Sequence, residues 1–433
     1  MSKKQNAISF GKGWLVIIFS FIVFFFYGGL NQDGLNVVVP PLSENMGVEQ
    51  GVLFTLISYA SMIGVIIHII LGFVAKRMGA KRTIAIALFV GAIAFAIEAH
   101  VTSIPLFVIC RSLMNGCTTN AAFVGCGILT ANYFPKRKGI VMGYTTMGLN
   151  LNSACFVALL TALISKLGGI GNGVLPICAC LVVLAIISIV LIKDTPQEIG
   201  IYPDNVSKEV YVTEYNITED AKESDRWTTK KLLTTPMVYG VAITTGLFCI
   251  CNGATVSNMV ARNMEMGMSQ AQAIGCMTVV AIVGLFGSWI VGVFDEKFGT
   301  KPTMIGFGIF YFVAGLLNWV AGMTGSMVPL YISVFMTGIG IGGAANFTTS
   351  LPCSVFGRHS FDKINTVLFP MQSFVISLNF LVSGLLRIIT GNDLKWIYLA
   401  AGFLCLINVP LILLFIRDEH KYNLDFKIET GKI

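Results

Sequence analysis

Charge is what this chain has least of. Asp, Glu, Lys and Arg make up 12% of its 433 residues, about half the share of a soluble globular chain. A largely water-facing surface is excluded, and lipid is the expected solvent. Histidine is scarce as well: His68, His100, His359 and His420 are scattered along the chain, with no clustered nucleophile, metal-ligand set or cofactor loop. This argues against a membrane-embedded enzyme, and neither a metal nor a cofactor is expected. The 11 cysteines lie almost wholly within apolar runs and lack the spacing of a disulfide framework or a zinc knuckle. Cys178/Cys180 and Cys249/Cys251 stand two apart, which does not put them on one helix face, so the cysteines read as small packing residues. The glycines of "GIGIGGAANFTTS" follow no strand and sit in an apolar run, where they permit close helix packing rather than nucleotide binding. No ATP-binding motif is present. No cleavable signal peptide is expected, because the first apolar run is too long and has no small-residue cleavage site.

What the chain does have is apolar length. Hydrophobic residues make up 55%, and a bilayer core needs about 20 of them per helical crossing. Twelve such segments stand near 14–41, 49–74, 83–102, 105–133, 140–166, 174–193, 236–261, 270–294, 303–323, 327–355, 364–390 and 394–416. Barrel strands need only about 10 residues and alternate in polarity. An all-α integral membrane protein is therefore expected.

The net charge of +7 does not point to nucleic acid, because in a membrane protein the position of Lys and Arg relative to the helix ends carries the information. With the N-terminus in the cytoplasm, that side holds 24 of the 29 basic residues; Lys166, Arg262, Arg387 and Lys395 fall on the other side and Arg111 lies within the fourth crossing. Both termini are expected in the cytoplasm. Residues 194–235 form a polar cytoplasmic linker between six-helix bundles at 1–193 and 236–416, and 417–433 a cytoplasmic tail. The sequons at Asn205 and Asn216 lie in that linker and carry no weight.

An internal repeat relates the two bundles, as parallel repeats do in one class of secondary transporters. "GFVAKRMGAKRT", Gly72 to Thr83, returns 220 residues later as "GVFDEKFGTKPT", Gly292 to Thr303. Gly72/Gly292, Gly79/Gly299, Lys81/Lys301 and Thr83/Thr303 coincide, and Arg77 is matched by Lys297. Both copies resemble the loop signature of the major facilitator superfamily, G-x-x-x-D-R/K-x-G-x-R/K-R/K. The resemblance implies twelve helices in two pseudo-symmetric halves that alternate access to a midplane site, with the two loops as gating latches. Lys76 replaces the usual acid in the first copy, where Arg82 completes the cations. The second keeps Glu296 but has Pro302 in place of a cation. A purely topological role for the loops is the alternative.

Ionisable groups at membrane depth are functional by default. The first crossing carries Asn31, Gln32, Asp33 and Asn36, and the fourth Arg111, Asn115 and Asn120. From the helical rise, Asp33 lies roughly 10 Å below the end marked by Pro40 and Pro41, and Arg111 roughly 9 Å below Pro105. At equal depth, the two can pair across the path or form a structural ion pair that fixes the two helices. Arg111 is similar to the arginine of the Arg-x-x-Gln-Gly signature of the superfamily's fourth helix, although here the run is Arg111-x-x-x-Asn115-Gly116. The resemblance implies proton coupling or substrate binding. Glu98 reads as an interfacial, solvated carboxylate, His68 as a hydrogen-bonded packing residue, and Arg387 as a side chain snorkelling to the headgroups. The second half offers amides rather than central charge: Asn252, Asn258, Asn346, Gln372 and Asn379.

"DTPQEIGIYPDN" after the sixth crossing and "YFPKRKGIVMGYTTMG" before the fifth resemble oxalate/formate antiporter-like and monocarboxylate-type members. That resemblance implies a transporter in the cell membrane for a small organic anion, coupled to protons or a counter-substrate, with Arg111 attracting the anion and Asp33 supplying protonation. The expected partners are that substrate, the proton or counter-substrate and the bilayer, with no nucleic acid and the protein acting as a monomer. Efflux of amphipathic or drug-like compounds is the alternative, weakened by the lack of a Gly-Pro pair after Gly143. A sensor on the same scaffold would need a soluble domain larger than the tail.

Overall fold

In hydrocarbon every backbone N–H and C=O must be satisfied within the chain, and helices do this segment by segment. The computed structural model describes residues 10–135, 137–214, 227–357 and 361–423. Within them twelve helical columns run back and forth. Helix α1 comprises Trp14–Gly28, a π-helical turn at Gly29–Asp33 and Leu35–Met46. It is followed by α2 (Gln50–Met78), α3 (Ala80–Glu98), α4 (Ile104–Thr119, a π-helical turn Asn120–Gly125, then Cys126–Tyr133) and α5 (Lys138–Lys166). The first half ends with α6, Ile170–Gly173 and Leu175–Val190.

The second half comprises α7 (Pro236–Val256 and Met259–Glu265), α8 (Gln270–Phe298), α9 (Thr300–Thr324), α10 (Met327–Phe356), α11 (Phe361–Ile389) and α12 (Lys395–Phe415). Among the described residues, eleven columns are long and apolar enough to cross a membrane. The remaining one, α4, has the length, but Arg111, Asn115, Thr118, Thr119 and Asn120 dilute its apolar character. The first column extends beyond the expected end at residue 41, continuing helically through Pro40 and Pro41 to Met46. Of the expected linker and tail, 215–226 and 424–433 lie outside the described residues, as do Asn216 and His359.

The repeat seen in the sequence is also a repeat of backbone conformation. Gly79 (φ 86°, ψ 163°) joins α2 to α3, and Gly299 (φ 89°, ψ 161°) joins α8 to α9. This region of φ/ψ space is essentially reserved for glycine. Each turn is followed by a helix start capped by an acid from just beyond the last helix of its half. Asp194 Oδ1 accepts from the Lys81 amide at 2.8 Å. Glu419 accepts from the Thr300 and Lys301 amides at 3.0 and 3.2 Å. Carboxylates at helix N-termini satisfy orphan donors and complement the helix dipole.

The face that bears these turns and the ends of the described chain, Phe10 and Asn423, is the terminal face, and the opposite one the far face. The described hydrogen bonds that join α1–α6 to α7–α12 lie toward the far face. Asn36 bonds Val256 O (3.0 Å) and accepts from Val260 N (3.1 Å). Ser58 Oγ donates to Ser377 O (2.8 Å), Thr278 Oγ1 to Ala154 O (2.8 Å) and Arg387 to Gln50 Oε1 (3.1 Å). Backbones approach closely at this seam: a Cβ on Gly384 of α11 would meet Gly51 O of α2 at 2.6 Å. The far face is closed.

Within the first half, α1 and α5 touch at Gly148, where an added Cβ would stand 2.2 Å from Phe21 O. Gly148→Val is expected to cost about 1–3 kcal/mol through overpacking, read as a lower melting midpoint of the purified protein. Gly127→Ala, at a helical position with open space beyond the Cα, is the matched control and should leave the midpoint within error. Equal midpoints for the two variants would refute the contact.

Candidate functional site

The π-helical turn of α1 adds a residue to the helical ring and so re-aims the side chains that follow it, a device common at functional sites. Asp33 closes that turn. It is 2% exposed, and its Oδ2 accepts from Asn152 Nδ2 and Ser153 Oγ of α5, both at 2.5 Å. No cation touches it among the described residues. The expected approach to Arg111 does not occur, because the π turn directs Asp33 toward α5 whereas Arg111 points toward α3.

Arg111 is fully buried. Its guanidinium meets Glu98 Oε1 at 3.4 Å and donates to Leu30 O, inside the same π turn, at 3.3 Å. Glu98 is therefore not a solvated interfacial carboxylate: it is 1% exposed, because α4 covers the end of α3. A chain of amides also joins α1 to α4. Asn115 Nδ2 donates to Asn31 Oδ1 at 2.7 Å, and Asn31 Nδ2 donates to Thr118 Oγ1 at 2.9 Å. Gln32 is half-buried and makes no hydrogen bond to described residues.

The second half supplies mainly amides and hydroxyls. Gln372 of α11 donates to Thr245 Oγ1 of α7 at 2.9 Å. Asn346 of α10 donates to Ser288 O of α8 at 2.8 Å. Asn252 is half-buried with its Oδ1 unpartnered, and the Oδ1 of Asn379 is likewise without a donor. Asn258 donates to Ala254 O and to Ser383 Oγ, while its Oδ1 faces Arg387. Below these polar groups, toward the terminal face, Phe123 of α4 and Phe369 of α11 approach to 4.5 Å between ring centroids, with Tyr27 against Phe123 at 5.1 Å.

Two expectations about single side chains require correction. Arg387 does not snorkel: it is 3% exposed, with Nε and Nη2 on Asn258 Oδ1 at 3.0 and 2.7 Å. His68 is buried, but its ring Nδ1 has no partner. Its ring packs on Phe369 at 5.4 Å, and the hydrogen bond at this residue is made by its backbone carbonyl with Asn120.

Two contributors were not singled out from the sequence. Asn152 and Ser153 hold Asp33, and the polar run Asn150, Asn152, Ser153 in an otherwise apolar crossing was their signal. Asn31, named among the polar groups of the first crossing, links α1 to α4.

The loop residues lie on the terminal face. Lys76, Arg77 and Arg82 are exposed, as are Glu296 and Lys297. Lys76 Nζ stands 5.7 Å over the Phe73 ring, and Lys297 Nζ 5.4 Å over Phe298. Among the described residues none of these charges pairs with the opposite half. A Cβ on Gly72 or Gly292 would meet nothing within 4 Å. Lys81 reaches Glu198 at 3.8 Å and Lys301 reaches Arg417 O at 3.3 Å, each within its own half.

A twelve-helix bundle whose two halves repeat one backbone conformation is an architecture that secondary transporters use. The family model for the Major Facilitator Superfamily matches residues 13–379. The chain belongs to the Major Facilitator Superfamily. As a member of this superfamily it is a multi-pass membrane transporter and not an enzyme.

The 4-hydroxybenzoate transporter PcaK of Pseudomonas aeruginosa is 21% identical over 362 residues, covering 78% of each chain. The uncharacterized MFS-type transporter YhjX of Escherichia coli is 21% identical over 300 residues, 69% of this chain and 70% of that one. Human monocarboxylate transporter 14 is 22% identical over 166 residues, 38% of this chain and 32% of its own. Among solved structures, a D-xylose-proton symporter superposes with a TM-score of 0.69 at 14% identity, covering 95% of this chain and 99% of that one. This last likeness is one of fold.

A buried ion pair broken on one side leaves an uncompensated charge. Glu98→Leu alone is expected to destabilise the first half by about 3–5 kcal/mol, whereas Glu98→Leu combined with Arg111→Met recovers most of the loss. Melting midpoints in detergent report both. A double variant as unstable as the single one would show that the pair does not act as a unit.

Proposed function

We infer that this secondary transporter moves a small organic acid of the monocarboxylate type, coupled to a proton or to a counter-substrate. The observation that carries the reading is the environment of Asp33. A carboxylate buried at membrane depth, held by two neutral donors and touched by no cation, has its charge balanced only by what arrives from outside: a proton. Ionisable groups in such positions form the proton relays of transporters. The names of two relatives, a hydroxybenzoate transporter and a monocarboxylate transporter, favour an acid as cargo.

In this reading Arg111 acts from behind the site, its charge balanced by Glu98 while it holds Leu30 and so the π turn that carries Asp33. Gln32, Asn115 and Asn252 have hydrogen-bonding capacity left to meet a carboxylate and its substituents, with Asn36, Asn258, Asn346 and Gln372 shaping the walls. A dianion fits less well than a monoanion, because no second cation stands at the midplane. The protein would work as a monomer in the cell membrane with its termini in the cytoplasm. The exposed cations Lys76, Arg77 and Arg82 would meet their partners only when the terminal face closes.

A second reading, efflux of amphipathic compounds, is favoured by one feature. A crevice of about 360 Å³ opens between the halves, lined by Val65, Ile69, Tyr239, Ala242, Ile243, Pro370, Met371, Phe374 and Val375, with no charged side chain.

Counterflow in proteoliposomes loaded with unlabelled mono- and dicarboxylates separates the two. Exchange of a labelled monocarboxylate is expected, and Asp33→Asn should abolish accumulation driven by a proton gradient while sparing exchange. Proton-driven accumulation that survives in Asp33→Asn would refute the role of this residue, and silence across the panel would favour efflux. For the loops, Lys76→Asp is expected to shift the balance of the two access states. Unchanged cysteine accessibility on both faces would show the loop to be a topological anchor only.

A further inference from the structure

Arg387 is a buried cation whose immediate partners are all neutral. Its guanidinium has five donor hydrogens. Four bonds reach three amide oxygens: Nε and Nη2 to Asn258 Oδ1, Nη1 to Gln50 Oε1 at 3.1 Å and Nη1 to Asn392 Oδ1 at 2.5 Å. One face lies over the Phe54 ring, 5.0 Å from its centroid. No carboxylate stands within ion-pair distance among the described residues. Glu265 is bound to Arg262 at 2.7 Å, and Asp393 is bound to Lys395 at 2.7 Å. A desolvated guanidinium normally takes a carboxylate in forked geometry. Here amide oxygens take its place.

The neutral partners are placed where they matter for movement. Gln50 belongs to α2, so its bond to Arg387 crosses between the halves. Asn258 sits in the break of α7 between Val256 and Met259, the same break that Asn36 of α1 spans from the other half. The Nη1 edge faces outward, since Gln50 is half-buried and Asn392 is exposed at the far face. An anion arriving from that face meets this edge first.

We propose that Arg387 is an entry site for the carboxylate of an anionic substrate on the far face, and that the arriving carboxylate displaces Gln50 and thereby frees the two halves to part there. The ligand shifts the equilibrium because its forked ion pair forms only once the Gln50 bond is given up. A ligand moves a two-state protein only through such a difference in affinity. This rests on the organic-acid reading for its ligand class, while the geometry of the gate stands independently of it.

The test uses the full chain in right-side-out vesicles with a reporter, Thr55→Cys, on the α2–α11 seam beside Gly384, and the labelling rate with an impermeant maleimide added at the far face. The protein without the reporter gives the background from native cysteines. Benzoate and lactate serve as carboxylate probes and benzamide as the neutral control. Either carboxylate is expected to raise the rate by about tenfold, the effect of exchanging a neutral for a charged acceptor, and benzamide is not. Gln50→Glu places a carboxylate on the guanidinium permanently and across the seam. It should slow basal labelling by about tenfold and remove the response to the probes. Arg387→Lys keeps the charge without the fork and should label faster than the parent with a blunted response; it stands in should Arg387→Gln fail to fold. A Gln50→Glu variant that labels as fast as the parent overturns the proposal, as does a full benzoate or lactate response in Arg387→Lys and Arg387→Gln. Silence of both probes in the parent also overturns it. If a carboxylate exchanges in counterflow yet leaves labelling unchanged, the entry site falls and the transport reading stands. If labelling responds through Arg387 but nothing exchanges, the transport reading falls instead.

Discussion

The constraint on which the rest of the structure depends is that a helix interrupted inside lipid must find new partners for the backbone groups it releases. Helix α7 breaks after Val256, and Asn36 closes the gap from the opposite half with one amide: its nitrogen donates to Val256 O and its oxygen accepts from Val260 N. The break, the seam between the halves and the closed far face are thus a single feature. Asn36 is presented for this task by the π turn before it and the two prolines after it. Pro40 and Pro41 lack N–H groups, which frees carbonyls one turn earlier and loosens the helix where its side chain reaches across.

Charge is distributed with equal economy. The first half keeps an internal pair, Arg111 with Glu98, and one carboxylate held by neutral donors, Asp33. The second half places its buried cations near the far face, Arg262 on Glu265 and Asn318, and Arg387 among amides. The midplane itself carries hydrogen-bonding groups from both halves and little fixed charge. A cargo passing there exchanges hydration for amides and hydroxyls, and its own charge is what distinguishes one state from the other.

Much of the fold was legible in the sequence because bilayer thickness imposes a length on every crossing and the repeat fixes which turns correspond. Less of the site was legible. Helical rise gives the depth of Asp33 and Arg111, but rotation about the helix axis decides which neighbour each one meets, and the extra residue of the π turn is invisible in a regular helical count. Glu98 and Arg387 near helix ends looked like interfacial groups; only the packing of α4 over α3, and of α2 against α11, shows them to be enclosed. Asn152 and Ser153 needed a partner in space before their polarity meant anything. The break in α7 was signalled by Ser257 and Asn258, turn-forming residues in an apolar run, yet its partner Asn36 lies 220 residues away from Val256.

The caps on α3 and α9 have a bearing on biosynthesis. Each helix start waits for an acid that lies beyond the last helix of its half: Asp194 comes 113 residues after Lys81, and Glu419 119 residues after Thr300. As the chain emerges from the ribosome, the third helix of a half therefore inserts with its leading amides uncapped, and they gain their acid only when the sixth has passed. The cap thus ties the end of each half back to the start of its third helix, so that neither helix start is complete until its whole half has been made.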